Sequence, residues 1–525
     1  MFRSHISGRK FKNLLLLALL TVAVYANSLP NSFSLDDPNF VVNNKAVHGF
    51  SLANIKAVFT SVPNGVEYLP VKDLTYMLDY SIWKLDPLGY HISNLVFYLL
   101  GIILFYLFLE EILPGQAAFL AALIYAVHPG HVESVACVAQ RKDLVSGALY
   151  FTALLLYAKN MKAGGKGRYM ASLLLLAPAM LSKMTAVMMP VSVLLLESFF
   201  GDRPLKKRLL RAAPFFALSA ALAVLGIFVA KSTKVYIPGA GLSQRIPGAF
   251  EAVWVYLKIL VFPYPLKVWY KFSMPGGFLE PLPALAVLGA GGLVALVFFM
   301  RKKYKAVSFG MAWMLASMVP VAGLFPTSVV ITERYLFLPS AGFCLALGWT
   351  IYRLLANRKA ALAVVCAALV TVFAAISFER NLDWRNDITL FTADLGHSPD
   401  LNKTYFCLGR QYCLGGDFSN GLKYLHEYKK LAPDTYEYEF FTAYYLFRRG
   451  DYDLSLNMLK DIESHYKEDV SDVDFLYGRM YQLKGERDKA QEYYLRAYNA
   501  AAGNSFWVFA PMDAKLALED MNSKK

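Results

Sequence analysis

The chain has 525 residues, 56% of them hydrophobic, a mean hydropathy of +0.38 and a formal net charge of +14 at pH 7. The apolar residues lie in long uninterrupted runs rather than amphipathic stripes, which excludes an ordinary soluble globular protein and points to a polytopic membrane protein. The basic residues cluster between those runs, as the positive-inside bias places them, and this argues against a nucleic-acid-binding surface.

The first element, FKNLLLLALLTVAVYANSLP, has a basic flank like a signal peptide. Its apolar stretch is long and lacks a small-residue cleavage site, so it reads as an uncleaved anchor. Directly after it comes LDDPN, with Asp36 and Asp37. Carboxylates just outside hydrocarbon are not needed to make a helix span. In a membrane enzyme they stand where a base meets a substrate whose head group lies at the bilayer surface. The loop of residues 30–90 holds weaker candidates in Tyr68, Pro70 and Lys72, while Asp79 and Asp86 read as ordinary loop residues.

Apolar runs follow near residues 13–29, 92–109, 117–127, 144–158, 169–181, 185–200, 212–230, 282–300, 306–325, 335–354 and 360–378. Each approaches the ~20 residues a spanning helix needs, the short ones once flanking residues are added. Alternate connections are basic: Arg3, Arg9, Lys10 and Lys12; Lys159, Lys162, Lys166 and Arg168; Arg203, Lys206, Lys207, Arg208 and Arg211; Arg301, Lys302, Lys303 and Lys305; Arg353, Arg358 and Lys359. Those loops are expected in the cytoplasm, and the loop of residues 30–90 outside. The stretch 248–266 carries Glu251 and Lys258 and ends in Pro263 and Pro265, so it reads as an interfacial or re-entrant helix. About eleven spans remain, which puts everything after residue 380 outside.

Several outer-face residues carry chemistry. His128-Pro129-Gly130-His131-Val132-Glu133 follows the third span, and Pro129 is placed to start a short surface helix. On that helix His131, Ser134, Val138 and Arg141 share a side. The two histidines with Glu133 could bind a divalent metal, but the cluster is weak evidence and hydrogen-bonding roles are preferred, so no metal or cofactor is expected. Lys183 stands in the outer turn between the fifth and sixth spans. Glu333-Arg334-Tyr335 opens the tenth, where a helix N-terminus and a guanidinium together favour an anion such as phosphate. Each cation taken singly reads at least as well as interfacial snorkelling or a salt bridge. Outer cations run against the positive-inside bias, however, and Arg141, Lys183 and Arg334 all lie beside the carboxylate loop.

From about residue 384 the composition becomes that of soluble helices rich in tyrosine. Gly416-Asp417, Gly450-Asp451 and Gly485-Glu486 recur 34 and 35 residues apart, each between two helical runs. This helix–turn–helix period resembles tetratricopeptide repeats, about three plus a leading half-repeat, which stack into a peptide-binding groove. An unrelated helical bundle is the alternative. Tyr405, Tyr436, Tyr444, Tyr477 and Tyr493 are read mostly as packing between helices. The five cysteines, Cys137, Cys344, Cys366, Cys407 and Cys413, show no metal-ligand spacing.

Taken in order, LDDPNFVVNN, HPGHVESV with RKDL, SKMTAVMMP, ERYLFLPSAGF and DWRNDITLF resemble the transmembrane-and-tetratricopeptide O-mannosyltransferase-like family, within the GT-C glycosyltransferase superfamily. The likeness covers nearly the whole chain. It implies a PMT-like membrane domain that takes a sugar from a polyprenyl phosphate; eukaryotic members transfer mannose to Ser or Thr hydroxyls on the lumenal side. Carried over, the paired acid falls on Asp36 and Asp37, the His–Glu element on His131 and Glu133, and the cationic positions on Arg141, Lys183 and Arg334. His128, Glu333 and Tyr335 join them as donor-binding candidates. Two departures stand out: Leu69 replaces the family's Arg before the proline, with Lys72 as its possible substitute, and Met184 replaces the acid that often follows the lysine. The short repeats and compact loops suggest a bacterial member, with undecaprenyl phosphate as carrier and the repeats outside the cytoplasmic membrane; a eukaryotic member would place them in the ER lumen.

The expected fold is all-α: a polytopic GT-C-type helical bundle over residues 1–380, then an extracytoplasmic tetratricopeptide α-solenoid over 381–525. The expected chemistry is an inverting hexosyl transfer to an acceptor hydroxyl, with Asp37 favoured over Asp36 as base and Arg334, with Arg141 or Lys183, steadying the departing phosphate. The partners are the lipid-linked sugar and a polypeptide. The alternatives are a GT-C enzyme acting on a lipid or surface polysaccharide, and a non-enzymatic repeat scaffold. A flippase would carry charges deep within spans, whereas this chain keeps almost all of its charges at span ends.

Overall fold

The computed structural model describes residues 8–230, 241–278, 280–325, 329–466, 471–499 and 511–523. Arg3 of the first basic cluster lies outside them. All regular structure among the described residues is helical, and the chain divides into two compact units between Asn386 and Asp387.

In the first unit, α1 (Gly8–Tyr25) leads into a loop carrying α2 (Leu52–Thr60) and α3 (Pro70–Trp83). Then come α4 (Pro87–Glu110), α5 (Gly115–Val127), the short α6 (Val132–Ala136), α7 (Arg141–Ala163), α8 (Lys166–Met180), α9 (Met189–Phe200) and α10 (Leu205–Ala230). The unit closes with α11 (Leu242–Val261), α12 (Pro281–Met300), α13 (Lys305–Met318), α14 (Phe337–Leu355) and α15 (Lys359–Asp383). Local sequence sets several of the starts. The Ser51 hydroxyl accepts from the Asn54 N–H at 3.0 Å ahead of α2, and the Asp86 carboxylate accepts from the Leu88 N–H at 3.1 Å, with Pro87 in the first turn of α4.

Each apolar run seen in the sequence falls largely on helix, the run 306–325 leaving it after Val321. Among the described residues six helices are long and apolar enough to cross a membrane, α1, α4, α10, α12, α14 and α15, and three shorter apolar stretches join them. The protein is a multi-pass membrane protein. Its interior is held by small residues where helices cross: a Cβ on Gly342 of α14 would lie 2.6 Å from the Met314 backbone nitrogen of α13, and one on Gly348 would lie 2.6 Å from that of Ala121 on α5. Such contacts replace hydrophobic driving force with close backbone packing. α11, the segment expected at the interface, buries Ala252, Tyr256 and Leu260 against Met314, Met318 and Leu336.

The helix ends are tied differently on the two sides. Lys10 meets Glu110 at 2.6 Å and Lys162 meets Glu111 at 3.0 Å, while Glu197 is fully buried between Arg203 and Arg211, at the ends where the basic loops emerge. At the opposite end the Asn381 amide of α15 donates to the Val24 carbonyl at 3.0 Å, and the Asn27 amide donates to Phe378 at 2.8 Å, so α1 and α15 finish together. The acidic loop leaves from there.

The second unit holds α16 (Asp387–His397), α17 (Asn402–Leu414), α18 (Phe418–Leu431), α19 (Glu437–Arg449), α20 (Tyr452–His465), α21 (Ser471–Leu483), α22 (Arg487–Asn499) and α23 (Pro511–Ser523). The turns within the pairs α17–α18, α19–α20 and α21–α22 place Gly416, Gly450 and Gly485 at φ of 89°, 88° and 77°, which explains why glycine recurs there. Phe406, Leu425, Phe440, Leu459, Val473 and Leu476 form the core between pairs. Tyr444 and Tyr477 are buried in it, and Tyr405, Tyr436 and Tyr493 pack against it.

Candidate functional site

The acidic loop turns sharply. Leu35 sits at φ 55°, a left-handed conformation that side chains enter at a cost, immediately before the two aspartates. Asp37 then points inward and is fully buried. Its carboxylate accepts from the Ser34 N–H at 3.0 Å, the Ala139 N–H at 2.6 Å and the Cys137 thiol at 3.3 Å. Burial pushes this carboxyl up to about 7 even against the pull of those donors. Asp36 points the other way, its side chain 35% exposed, and accepts from the Gln140 amide at 3.0 Å. One oxygen lies 3.7 Å from the guanidinium of Arg334.

Arg334 belongs to the single-turn 3-10 segment Glu333–Leu336 that opens α14. Glu133 of α6 holds it twice, accepting from the guanidinium at 2.6 Å and from the Arg334 backbone N–H at 2.9 Å, and takes the Thr332 hydroxyl at 2.9 Å. Only one edge of the guanidinium is needed for this, and the side chain stays 15% exposed. The sequence placed Glu133 and Arg334 on one face; the fold joins them directly.

Beyond Arg334 the polar cluster continues. Tyr335 lies between the Arg334 guanidinium, 5.9 Å from its ring, and the Lys183 ammonium, 5.6 Å away. Lys183 pairs with Asp143, and burial lowers its pKa. Lys142 pairs with Glu67 at 2.9 Å, and Glu67 also takes Lys72 at 3.0 Å. Burial would raise the Glu67 carboxyl, but the two ammonium groups, Lys142 first, hold it at about 2. Glu67, Gln140, Lys142 and Asp143 were not singled out from sequence. Lys142 and Asp143 lie in the RKDL motif, directly after Arg141; Glu67 and Gln140 carry no local signal.

Five expectations are corrected. Arg141 does not offer its charge to the cluster: it is fully buried, 2.5 Å from Asp79, and donates to Asn94 at 2.7 Å and the Tyr90 carbonyl at 2.9 Å. Asp79 is therefore no ordinary loop residue but the counter-ion joining α3 to α7. His128 and His131 are not ligands or donor contacts. His131 is engaged by Tyr98 at 2.8 Å and Ser340 at 2.7 Å, and His128 by the Leu260 carbonyl at 3.0 Å and the Gly130 N–H at 3.1 Å. Both rings are fully buried, and burial pushes His128 down to about 4. The expected surface helix is broken: Pro129–His131 is a 3-10 turn, followed by the buried five-residue α6. Glu333 points away from Arg334, accepting from the Lys267 N–H and from the Tyr270 hydroxyl at 2.9 Å. Among the described residues no group of three or more His, Cys, Asp or Glu side chains is placed to hold a metal ion.

A family model described as dolichyl-phosphate-mannose-protein mannosyltransferase matches residues 81–230. That range holds Glu133, Gln140, Lys142, Asp143 and Lys183 but neither Asp36 nor Arg334. The chain is 27% identical over 422 residues to a protein O-mannosyl-transferase of Caenorhabditis elegans, covering 76% of this chain and 60% of that protein. It is 24% identical over 489 residues to protein O-mannosyl-transferase TMTC3 of Mus musculus, covering 83% of this chain and 52% of that protein. The chain thus spans between about half and three fifths of the length of these relatives. Among solved structures, the apo oligosaccharyltransferase of Archaeoglobus fulgidus aligns with a TM-score of 0.42 at 13% identity, over 73% of this chain and 56% of that one.

Proposed function

We propose that this chain is a PMT-like membrane glycosyltransferase moving a hexose from a polyprenyl phosphate to an acceptor hydroxyl, a reading supported by the family match over residues 81–230 and by its similarity to protein O-mannosyl-transferases. The observation that carries the proposal is the pairing of an accessible carboxylate, Asp36, with a guanidinium 3.7 Å away that Glu133 holds in place. The carboxylate is the base and the guanidinium the phosphate ligand. The acceptor oxygen attacks the anomeric carbon as its proton passes to Asp36. The bond from that carbon to the phosphate oxygen breaks on the opposite face, and the configuration inverts. The phosphate departs as a stable anion, so no second carboxyl need protonate it, unlike hydrolysis of an ordinary glycoside. Arg334 neutralises the charge growing on the leaving oxygen, with Lys183 and Tyr335 beside it. Glu133 acts through Arg334 as a positioning residue.

Asp36 replaces Asp37 as the favoured base, because the Asp37 carboxylate is spent on three donors and has no exposed surface. The site sits at the ends away from the basic loops, which supports an extracytoplasmic reaction at the bacterial cytoplasmic membrane, or in the ER lumen of a eukaryote. The repeating helix pairs of the second unit favour a polypeptide acceptor presenting Ser or Thr. The test is transfer from a mannosyl-phosphoryl polyprenol to peptides by the purified protein in nanodiscs, read by mass. Peptide modification that disappears in Asp36→Asn supports the proposal. Transfer to lipid or glycan acceptors alone moves the assignment to the other acceptor class, and activity undiminished in Asp36→Asn removes the base.

A further inference from the structure

A pair of buried ammonium groups lies under one removable carboxylate. Lys72 of α3 has no exposed side-chain surface and Lys142 of α7 is 11% exposed, yet the Glu67 that covers both is 24% exposed. One Glu67 oxygen is shared between the two, 3.0 Å from Lys72 and 3.1 Å from Lys142, and the other lies 2.9 Å from Lys142. Phe40 floors the pair, its ring 4.4 Å from the Lys72 nitrogen and 5.4 Å from that of Lys142. Asp73, 3.3 Å from Lys72, is the second carboxylate here. It sits in the first turn of α3 and is buried, whereas Glu67 sits in the irregular stretch before that helix.

The backbone at Glu67 is fixed independently of its carboxylate. The Asn64 side chain accepts from the Val66 and Glu67 N–H groups at 2.9 Å each and donates to the Glu67 carbonyl at 3.2 Å, and the Tyr68 hydroxyl donates to Phe59 at 2.8 Å. With the backbone so held, a change of the Glu67 rotamer is the movement that would release Lys142 and leave Lys72 with Asp73 as its carboxylate partner. Two oxygens on phosphorus bridge a pair of ammonium groups much as two on a carboxyl carbon do, and a phosphate dianion does so with more charge.

We propose that Lys72 and Lys142 form an anion site for a phosphate monoester, and that Glu67 is its built-in surrogate, swinging out when phosphate binds. The inference deepens the reading of the site as a binder of polyprenyl phosphate, from which it takes only the ligand class. It adds a second phosphate position beyond Arg334 and a competitor that sets affinity: a phosphate must displace Glu67, so the resting protein binds it more weakly than its two lysines allow.

Binding alone tests it, with neither sugar nor acceptor present. Farnesyl phosphate and inorganic phosphate are each titrated, at constant ionic strength, into purified wild type, Glu67→Gln and Glu67→Gln/Lys142→Gln. Glu67→Gln should bind farnesyl phosphate tighter by about tenfold or more, and the double variant should lose that gain. A gain for farnesyl phosphate only identifies a lipid head-group site; a gain for both identifies a general phosphate site. Equal or weaker binding of both by Glu67→Gln overturns the proposal. If Glu67→Gln shows no cooperative melt, Glu67→Asp, whose shorter arm releases one ammonium, must show a smaller gain, and unchanged affinity there overturns it equally. Tightened binding with no sugar transfer by wild type would leave this site standing and remove the glycosyltransferase reading instead.

Discussion

Substituting the two neighbouring aspartates one at a time separates chemistry from architecture. Asp36→Asn keeps the hydrogen bond from Gln140 within reach but removes the exposed charge of the Asp36–Asp37 pair. Loss of a general base costs about 10²–10⁴ in rate, so transfer should fall by that factor with the melting temperature in detergent unchanged. Asp37→Asn does the reverse. Both Asp37 oxygens accept from backbone N–H groups, Ser34 at 3.0 Å and Ala139 at 2.6 Å, and an amide nitrogen cannot accept. One buried N–H is orphaned, at a cost of about 1–3 kcal/mol. The protein should therefore melt several degrees lower while keeping transfer within about tenfold when assayed cold. The pH dependence sharpens the contrast. Asp37 is raised from 3.8 to about 7, so the folded protein keeps a proton that the unfolded chain releases. Stability from this group therefore falls as pH rises from about 4 to about 7, and Asp37→Asn should lack that fall. Melting is followed by intrinsic fluorescence across that range, and transfer by mass. An Asp37→Asn protein that melts like wild type yet has lost transfer, beside an active Asp36→Asn, would refute the assignment.

Removing the Lys183 ammonium strands Asp143, which is 3% exposed, so Lys183→Met should cost about 3–5 kcal/mol of stability. Adding Asp143→Asn should recover part of it, and a double-mutant cycle by denaturant melts in detergent that shows simple additivity would count against the pair. Gly342→Ala would drive a methyl to 2.6 Å from the Met314 nitrogen where α13 crosses α14, at a cost of about 1–3 kcal/mol; an unchanged melting temperature would mean the crossing is looser than described. Treatment with a chelator should change neither melting nor transfer, because every ring nitrogen of His128 and His131 already has a protein partner. Loss of activity on chelation, restored by one divalent ion, would be the contrary result.

The membrane character, the helices and the pairing of the C-terminal ones were legible because each rests on neighbours in sequence. Hydropathy summed over one helix decides whether it leaves water, and a glycine able to take positive φ decides where a helix pair turns, as at Gly416, Gly450 and Gly485. Asp36, Glu133, Lys183 and Arg334 were legible as candidates because charge beside hydrocarbon calls for a reason. What no local pattern contained was their partners. Whether Asp36 or Asp37 faces outward depends on Leu35 and on N–H groups about a hundred residues away. Whether Arg141 is a phosphate ligand or a core tie depends on Asp79 and Asn94 lying beside it. Glu67 gains its role only from ammonium groups brought in by α3 and α7. A buried charge is worth what its surroundings leave unpaired, and those surroundings are assembled by helix packing, so composition and order determined that this chain is a membrane bundle with acids and cations at the span ends, while the tertiary structure decided which of those charges remain available to a substrate.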